Sequence, residues 1–301
     1  MRLGAVPATL PEGYEFVHGR RGLLAVERGA RAALLAAGFG PDGGEDLATS
    51  DLSGRAPLGS IELPGERWLV RRFHHGGALR ALGEHLFLEP ARPFRELASA
   101  CALRAAGFAT PRVIGARALR SRWLGWRLAL VSVRVESAVD GADVLEQLRR
   151  GELGFPERRR FLATLGTLVG RLHGAGFLHA DLNPRNLLLA SDLASAWILD
   201  LDRGRFVHPL GERERRDNLR RLYRAVRRRE SRARAFLPRS DYLRFLRAYE
   251  AGRGTGGDWR AAWAAILRRD RQRALLHRLG WLLEGLFGAG PEGRDGAARP
   301  G

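Results

Sequence analysis

Asp181, Asn186 and Asp200 are the side chains in this sequence with the clearest capacity for chemistry. Asp181 and Asn186 stand five residues apart in the run His179-Ala180-Asp181-Leu182-Asn183-Pro184-Arg185-Asn186. Apolar Leu187 to Leu189 follow, and Asp200-Leu201-Asp202-Arg203-Gly204 comes next. If Leu187 to Ala190 and Ala196 to Leu199 pair as a hairpin, Asn186 and Asp200 meet at one end of it, with Asp181 beside them. Three oxygen-bearing groups converging on one point suit a hard cation such as Mg²⁺. Taken singly, Asp181 and Asn183 would read as turn caps and Asp200 as the end of a strand. The complete set, between an amphipathic helix and a hydrophobic hairpin, asks for more than that.

The same order and similar spacing occur in protein kinases, where His-Arg-Asp-x4-Asn precedes Asp-Phe-Gly. Here the runs read His-Ala-Asp-x4-Asn and Asp-Leu-Asp. Phosphoryl transfer also requires a lid over the nucleotide, a cation facing its phosphates and an acid to hold that cation. Ser53 to Ser60, with Gly54 and Gly59, lies where a glycine-rich loop would bend over phosphates. With two glycines, and with Pro57 removing an N–H, it suits an ordinary loop equally well. The next segment offers Arg71 and Arg72 on opposite faces, Arg71 sharing its face with Leu69 and Phe73. Glu96, in the helix that follows, is placed to hold Arg71 or to stand as a plain surface residue.

These groups depend on the elements around them. Residues 14–40 read as two short strands and a small helix from Ala30 to Ala37. Glu66 to Phe73, Pro111 to Leu119 and Trp126 to Glu136 read as strands, and Phe94, Leu97, Ala98, Cys101 and Ala105 fall at helical spacing. Beyond Asp140 the chain turns helical. Phe161, Leu162, Leu165, Leu168, Val169 and Leu172 form an apolar stripe that ends near Gly174 and Gly176. Leu219, Leu222, Tyr223 and Val226 mark an arginine-studded helix, Trp259 to Leu267 another, and Leu275 to Phe287 a last one. The expected fold is α+β and two-lobed, with a strand-rich part over residues 1–136 and a helical part over 137–289. Residues 290–301 read as a loose tail.

Composition narrows the chemistry further. The chain has 301 residues, 45% hydrophobic and 28% charged, and a formal net charge of +18. Every fixed cation is an arginine, since the sequence contains no lysine. Walker A phosphate binding, Schiff-base catalysis and carriage of lipoyl or biotin groups are thereby excluded. Codon bias in a GC-rich genome would produce this usage, and so would selection for bidentate phosphate binding. Cys101 is the single cysteine and permits no internal disulfide. No run reaches the roughly 18 apolar residues of a membrane span, and Met1 to Phe16 lacks the apolar run of a signal peptide. A cytoplasmic chain, able to sit on a membrane surface, is expected.

Val70-Arg71-Arg72-Phe73-His74-His75-Gly76-Gly77, Phe94-Arg95-Glu96-Leu97, His179-Ala180-Asp181-Leu182-Asn183 and Asp200-Leu201-Asp202-Arg203-Gly204-Arg205 together resemble the 3-deoxy-D-manno-octulosonic acid (Kdo) kinase family. This is a lipopolysaccharide-kinase branch of the protein-kinase-like fold. Asp217-Asn218-Leu219-Arg220-Arg221-Leu222 resembles a downstream segment of the same family, and the likeness runs from about Gly54 to Arg229. The sequence departs from the family at Ala56, at His74-His75 and at Leu201. Those departures bear on the acceptor rather than on the cation, because this branch carries an arginine where protein kinases carry lysine.

The resemblance implies ATP and Mg²⁺ as cofactors. Asp181 would orient or accept the acceptor's proton, while Asn186 and Asp200 would hold metal. Arg71, steadied by Glu96, would face the phosphates beneath Gly54 and Gly59. Asp202 would either bind a second metal or orient its loop. The implied acceptor is an anionic glycolipid of the Kdo-lipid A type, met at the cytoplasmic face of the bacterial inner membrane. Between Arg213 and Arg247 fourteen arginines face four acidic residues, which is either a solvated surface or a docking surface for such a lipid. A heptose or other small-molecule kinase of the same fold, a pseudokinase and a basic nucleic-acid-binding protein are the rival readings. Nucleic acid is disfavoured, since it leaves His179 to Asn186 and Asp200 unexplained.

Overall fold

The computed structural model describes residues 9–43, 48–49, 58–74, 86–121, 125–230, 237–254 and most of 256–268. Between Tyr14 and Val133 the chain builds one antiparallel sheet. Its strands are β1 (Tyr14–His18), β2 (Gly22–Glu27), β3 (Ala48–Thr49), β4 (Gly59–Leu63), β5 (Glu66–Arg72), β6 (Val113–Arg120) and β7 (Trp126–Val133). They lie in the order β1-β2-β6-β7-β5-β4-β3. β6 is apolar almost without alternation and is buried along nearly its whole length, as a strand covered on both faces must be. β5 alternates instead. Trp68 and Val70 enter a layer with Leu24, Leu34, Phe39 and Val131, closed by the short helix α1 (Arg31–Ala36). Phe73 and Leu130 belong to the opposite layer, which α2 (Arg92–Ala105) covers with Phe94, Leu97, Ala100 and Leu103. Ala105, expected on the buried stripe, is exposed, because the row of larger side chains at 97, 100 and 103 does the packing.

The strand expected to reach Glu136 stops at Val133. Ser137 turns the chain with φ +51, and β8 (Ala138–Asp140) joins a different sheet. Apolar pattern alone does not single out the next helix, α3 (Gly141–Arg150), but its caps do. The Asp140 carboxylate accepts from the N–H groups of Ala142 and Asp143 at 2.8 and 2.9 Å, and Gly151 ends the helix at φ +74. α4 (Phe155–Gly174) follows with the expected stripe buried, and then β9 (Phe177–Leu178). β10 (Leu187–Ala190) lies between β8 and β11 (Ala196–Ile198). β12 (Arg205–Phe206) returns to pair with β9, and α5 (Glu212–Glu230) and α6 (Arg239–Arg253) complete the set.

α4 and α6 meet through glycine. A Cβ at Gly170 would lie 2.1 Å from the Tyr249 carbonyl oxygen, and one at Gly166 would lie 2.5 Å from that of Phe245. Gly252 answers from α6, where a Cβ would stand 2.6 Å from the Thr167 carbonyl. Residues four apart share a helix face, so these glycines let two backbones approach where side chains would hold them apart. Trp263 is buried beyond α6 as expected, whereas Leu275 to Phe287 and the tail lie outside the described residues. Among the described residues no helix is long and apolar enough to cross a membrane.

Candidate active site

The loop that carries Asp181 is organised by a buried histidine. His179 Nδ1 accepts from the Asp181 N–H at 3.1 Å, which places the ring proton on Nε2, and Nε2 donates to the Leu199 carbonyl at 2.9 Å. Burial pushes the pKa of this ring down and keeps it neutral. Leu199 in turn donates its N–H to the Asn186 carbonyl at 2.9 Å, extending the pairing of Leu187 with Ile198. Asp200 therefore leaves the hairpin beside Asn186, which is the juxtaposition expected of two paired strands.

Both amides of the loop converge on one acceptor. Asn183 Nδ2 and Asn186 Nδ2 donate to the Asp181 carbonyl at 2.9 and 2.8 Å. Asn183 Oδ1 also accepts from the Arg185 N–H at 2.9 Å, opening a single 3₁₀ turn over Pro184–Asn186. With Nδ2 turned inward, Asn186 keeps Oδ1 for another partner. Asp200 accepts from Arg71 on Oδ1 and retains Oδ2. Its φ of +54 lies in the left-handed region, which costs a residue with a Cβ on the order of 1 kcal/mol or more. The Arg71 contact and the flanking backbone bonds hold it there.

Arg71 joins the sheet to this loop. One guanidinium nitrogen donates to Glu96 at 2.5 Å and another to Asp200 at 3.1 Å. The group lies 4.6 Å from the Phe73 ring centroid, where a guanidinium gains from the aromatic face. Glu96 is 4% exposed, so it is a buried partner of Arg71 and not a surface residue. Arg72 points the other way and is exposed. Gly59 is the first residue of β4, opposite Val70. Gly54 and the rest of Ser53 to Pro57, with His75 to Gly77, lie outside the described residues.

Asp202, expected either as a metal ligand or as a group that orients its loop, has both carboxylate oxygens on Arg92 of α2. Asn186 Oδ1 and Asp200 Oδ2 remain as a pair of hard oxygens whose chemistry fits Mg²⁺. Among the described residues no three His, Cys, Asp or Glu side chains gather to hold a metal by themselves. Such an ion would complete its shell with phosphate and water oxygens, as Mg²⁺ commonly does.

Residues that sequence reasoning did not assign hold this loop from behind. Asn218 of α5 donates through Nδ2 to the His179 carbonyl at 2.7 Å, so its Oδ1 accepts from His173 Nε2 at 3.0 Å. His173 Nδ1 then accepts the Tyr249 hydroxyl at 2.9 Å. Burial pushes His173 down to about 4, so the chain from α6 through α4 and α5 to the loop is neutral. Arg221, one turn beyond Asn218, donates to the Ala180 carbonyl. Asn218 lies within a segment already marked by its family likeness, while His173 was masked by the apolar stripe around it.

The arginine cluster divides in two. Arg220 is buried, and Arg215 is largely covered beside Glu212. These two do not project to solvent as expected; Asp217 lies 3.7 Å from Arg220 and Glu212 pairs with Arg215, each within one turn of the same helix. Arg213, Arg216, Arg224, Arg227, Arg228, Arg239 and Arg247 are exposed.

With this geometry in place, four likenesses bear on it. The model of the lipopolysaccharide kinase (Kdo/WaaP) family matches residues 52–249. A 3-deoxy-D-manno-octulosonic acid kinase of Xanthomonas euvesicatoria pv. vesicatoria (strain 85-10) is 32% identical over 224 residues, covering 72% of this chain and 85% of the relative. The enzyme of the same name from Pasteurella multocida (strain Pm70) is 27% identical over 200 residues, covering 64% and 80%. Among solved structures, WaaP in complex with acyl carrier protein superposes with a TM-score of 0.55 at 20% identity, covering 83% of this chain and 98% of that one. That last likeness concerns the fold alone, the two-lobed α+β arrangement of protein kinases expected from the sequence.

Proposed function

This chain belongs to the lipopolysaccharide kinase (Kdo/WaaP) family, and we propose on that premise that it transfers the γ-phosphoryl group of ATP to a hydroxyl of Kdo on a lipid A-type acceptor. The observation that supports the site assignment is the double contact of Arg71 with buried Glu96 and with Asp200, the residue that leaves the hairpin beside Asn186. Residues 1–136 cover the nucleotide and residues 137–289 hold the catalytic groups.

The acceptor hydroxyl oxygen forms a bond to the γ-phosphorus as the bond to the β–γ bridging oxygen breaks. ADP leaves with that electron pair, and Asp181 takes the hydroxyl proton. Arg71 offers a planar fork of donors to the α- and β-phosphates, while Glu96 keeps the fork oriented. Asn186 and Asp200 would hold Mg²⁺, which when bound offsets phosphate charge. Positioning and charge stabilisation supply most of what phosphoryl transfer asks of a protein, so these few groups suffice. Gly54 and Gly59 border the nucleotide in this reading.

The exposed arginines of α5 and α6 offer an anionic glycolipid a surface at the cytoplasmic face of the inner membrane, on which the chain would be peripheral. Labelled ATP supplied with Kdo-lipid A, heptosylated core and protein acceptors tests the assignment. Label should enter Kdo-lipid A, and Asp181→Ala should lose at least about a thousandfold in rate while melting as the parent does. Label in heptosylated core alone would move the acceptor to heptose, label in protein alone would refute the sugar-lipid reading, and a fully active Asp181→Ala would remove Asp181 from the mechanism.

A further inference from the structure

Two ion pairs, not one, connect α2 with Asp200-Leu201-Asp202. Glu96 reaches the segment through Arg71, whose second nitrogen bonds Asp200. Arg92 stands one turn before Glu96, on the same helix face. It takes Asp202 with two nitrogens, Nε to Oδ1 at 3.2 Å and Nη2 to Oδ2. The fork of the guanidinium matches the carboxylate, and the pair is largely shielded, with side-chain exposures of 20% and 12%.

Aromatic rings fix the arginine's place. The Arg92 guanidinium lies 4.8 Å from the Phe87 ring centroid and 5.4 Å from that of Phe73, and the two rings meet edge to face at 6.3 Å. Phe73 directly follows the strand that carries Arg71. One arginine therefore touches the end of β5, the segment before α2 and the loop after the hairpin. Both oxygens of Asp202 are taken, and Arg203 Nε lies 3.7 Å from one of them. A cation at Asp202 would have to displace a guanidinium.

Resting on the kinase reading above, we propose that Arg92 is a positioning residue and Asp202 its partner in a latch. The latch fastens α2 to the loop, so that Glu96 and Arg71 stand in register with Asp200, and Asp202 orients the loop instead of binding metal. Asn186 and Asp200 are then left to hold Mg²⁺.

The test is a double-mutant cycle on the full chain with Arg92→Ala, Asp202→Asn and the pair. Initial rates are measured against ATP and Mg²⁺, and melting temperature is recorded for each protein. Each single change is expected to lower kcat/KM for ATP by about ten- to a hundredfold, the range of one charge-assisted contact. The double should be no worse than the weaker single, and the Mg²⁺ concentration for half-maximal rate should stay within about twofold of the parent's. Arg92→Lys should recover only part of the rate, since a point charge lacks the fork and the stacking plane. A rise of about tenfold in the Mg²⁺ requirement for Asp202→Asn, without one for Arg92→Ala, would make Asp202 a metal ligand and overturn the latch. Multiplying losses in the double would overturn it too. If the parent transfers nothing from ATP, the kinase reading fails while the melting cycle still decides the latch: coupled losses support it and additive losses remove it.

Discussion

Glu96 is buried against the guanidinium of Arg71, and the charges of Asp200 and Asp202 act on it as well. Burial pushes its pKa from 4.5 up to about 7, helped by Asp200 and Asp202 and opposed by Arg71. The folded chain thus keeps a proton that the unfolded chain releases between about pH 4.5 and 7. The corresponding stability is fully present below pH 4.5 and is lost as the pH rises through 7. Unfolding of Glu96→Gln and the parent at pH 4 and pH 8 should show it: the variant should gain about 3 kcal/mol on the parent across that interval. A difference independent of pH would mean that Glu96 is ionised throughout. At this scale the sequence was informative about type and order. Asp181, Asn186 and Asp200 were legible because a loop and a hairpin place near neighbours in sequence near one another in space. Arg92 was not legible, because its partner Asp202 lies 110 residues away and nothing local marks the pairing.

At the scale of elements, α4 is the hub, with glycines toward α6 and His173 toward α5. Gly170→Ala would set a methyl group 2.1 Å from a backbone oxygen that cannot rotate aside. Overpacking of this kind typically costs about 1–3 kcal/mol, so a melting point lowered by several degrees is expected. Gly174→Ala is the control, since its Cβ would find 3.2 Å to its nearest neighbour and should cost less. Equal melting of both variants with the parent would show that the two helices can part without loss. Asn218→Ala tests the other side of α4. It leaves the His179 carbonyl and the His173 Nε2–H without their partner, at about 1–3 kcal/mol for each buried group. The Asp181 loop should loosen, lowering kcat more than it raises KM for ATP, and an unchanged kcat would detach this chain of bonds from the loop. Periodicity revealed α4 and the hairpin, whose apolar faces are regular. It did not reveal α3, which its caps define, or the glycine contact, since a missing side chain leaves no mark on a hydrophobic stripe.

Across the whole molecule, the net charge of +18 stands, but many individual arginines are already engaged by acids. Arg71, Arg92, Arg112, Arg215 and Arg253 are each shared between acids or bound to one at short range. The arginines left exposed on α5 and α6 are those from which vesicle binding should come. Co-sedimentation should rise with the fraction of anionic phospholipid, at about 1 kcal/mol per arginine near the surface. It should fall as salt shortens the Debye length from about 10 Å toward 3 Å. Binding to neutral vesicles as strong as to anionic ones would end the docking proposal. The sequence by itself determined the kinase-like order of functional groups, the α+β pattern and the absence of any lysine chemistry, since motif spacing and periodicity are local properties. Tertiary structure alone decided which charges spend themselves on one another. It set Arg71 between Glu96 and Asp200, turned Asp202 onto Arg92 and buried Arg220 in a helix whose arginines outnumber its acids. A charge is neutralised by whatever the fold brings within a few ångströms of it, and that distance has no counterpart along the chain.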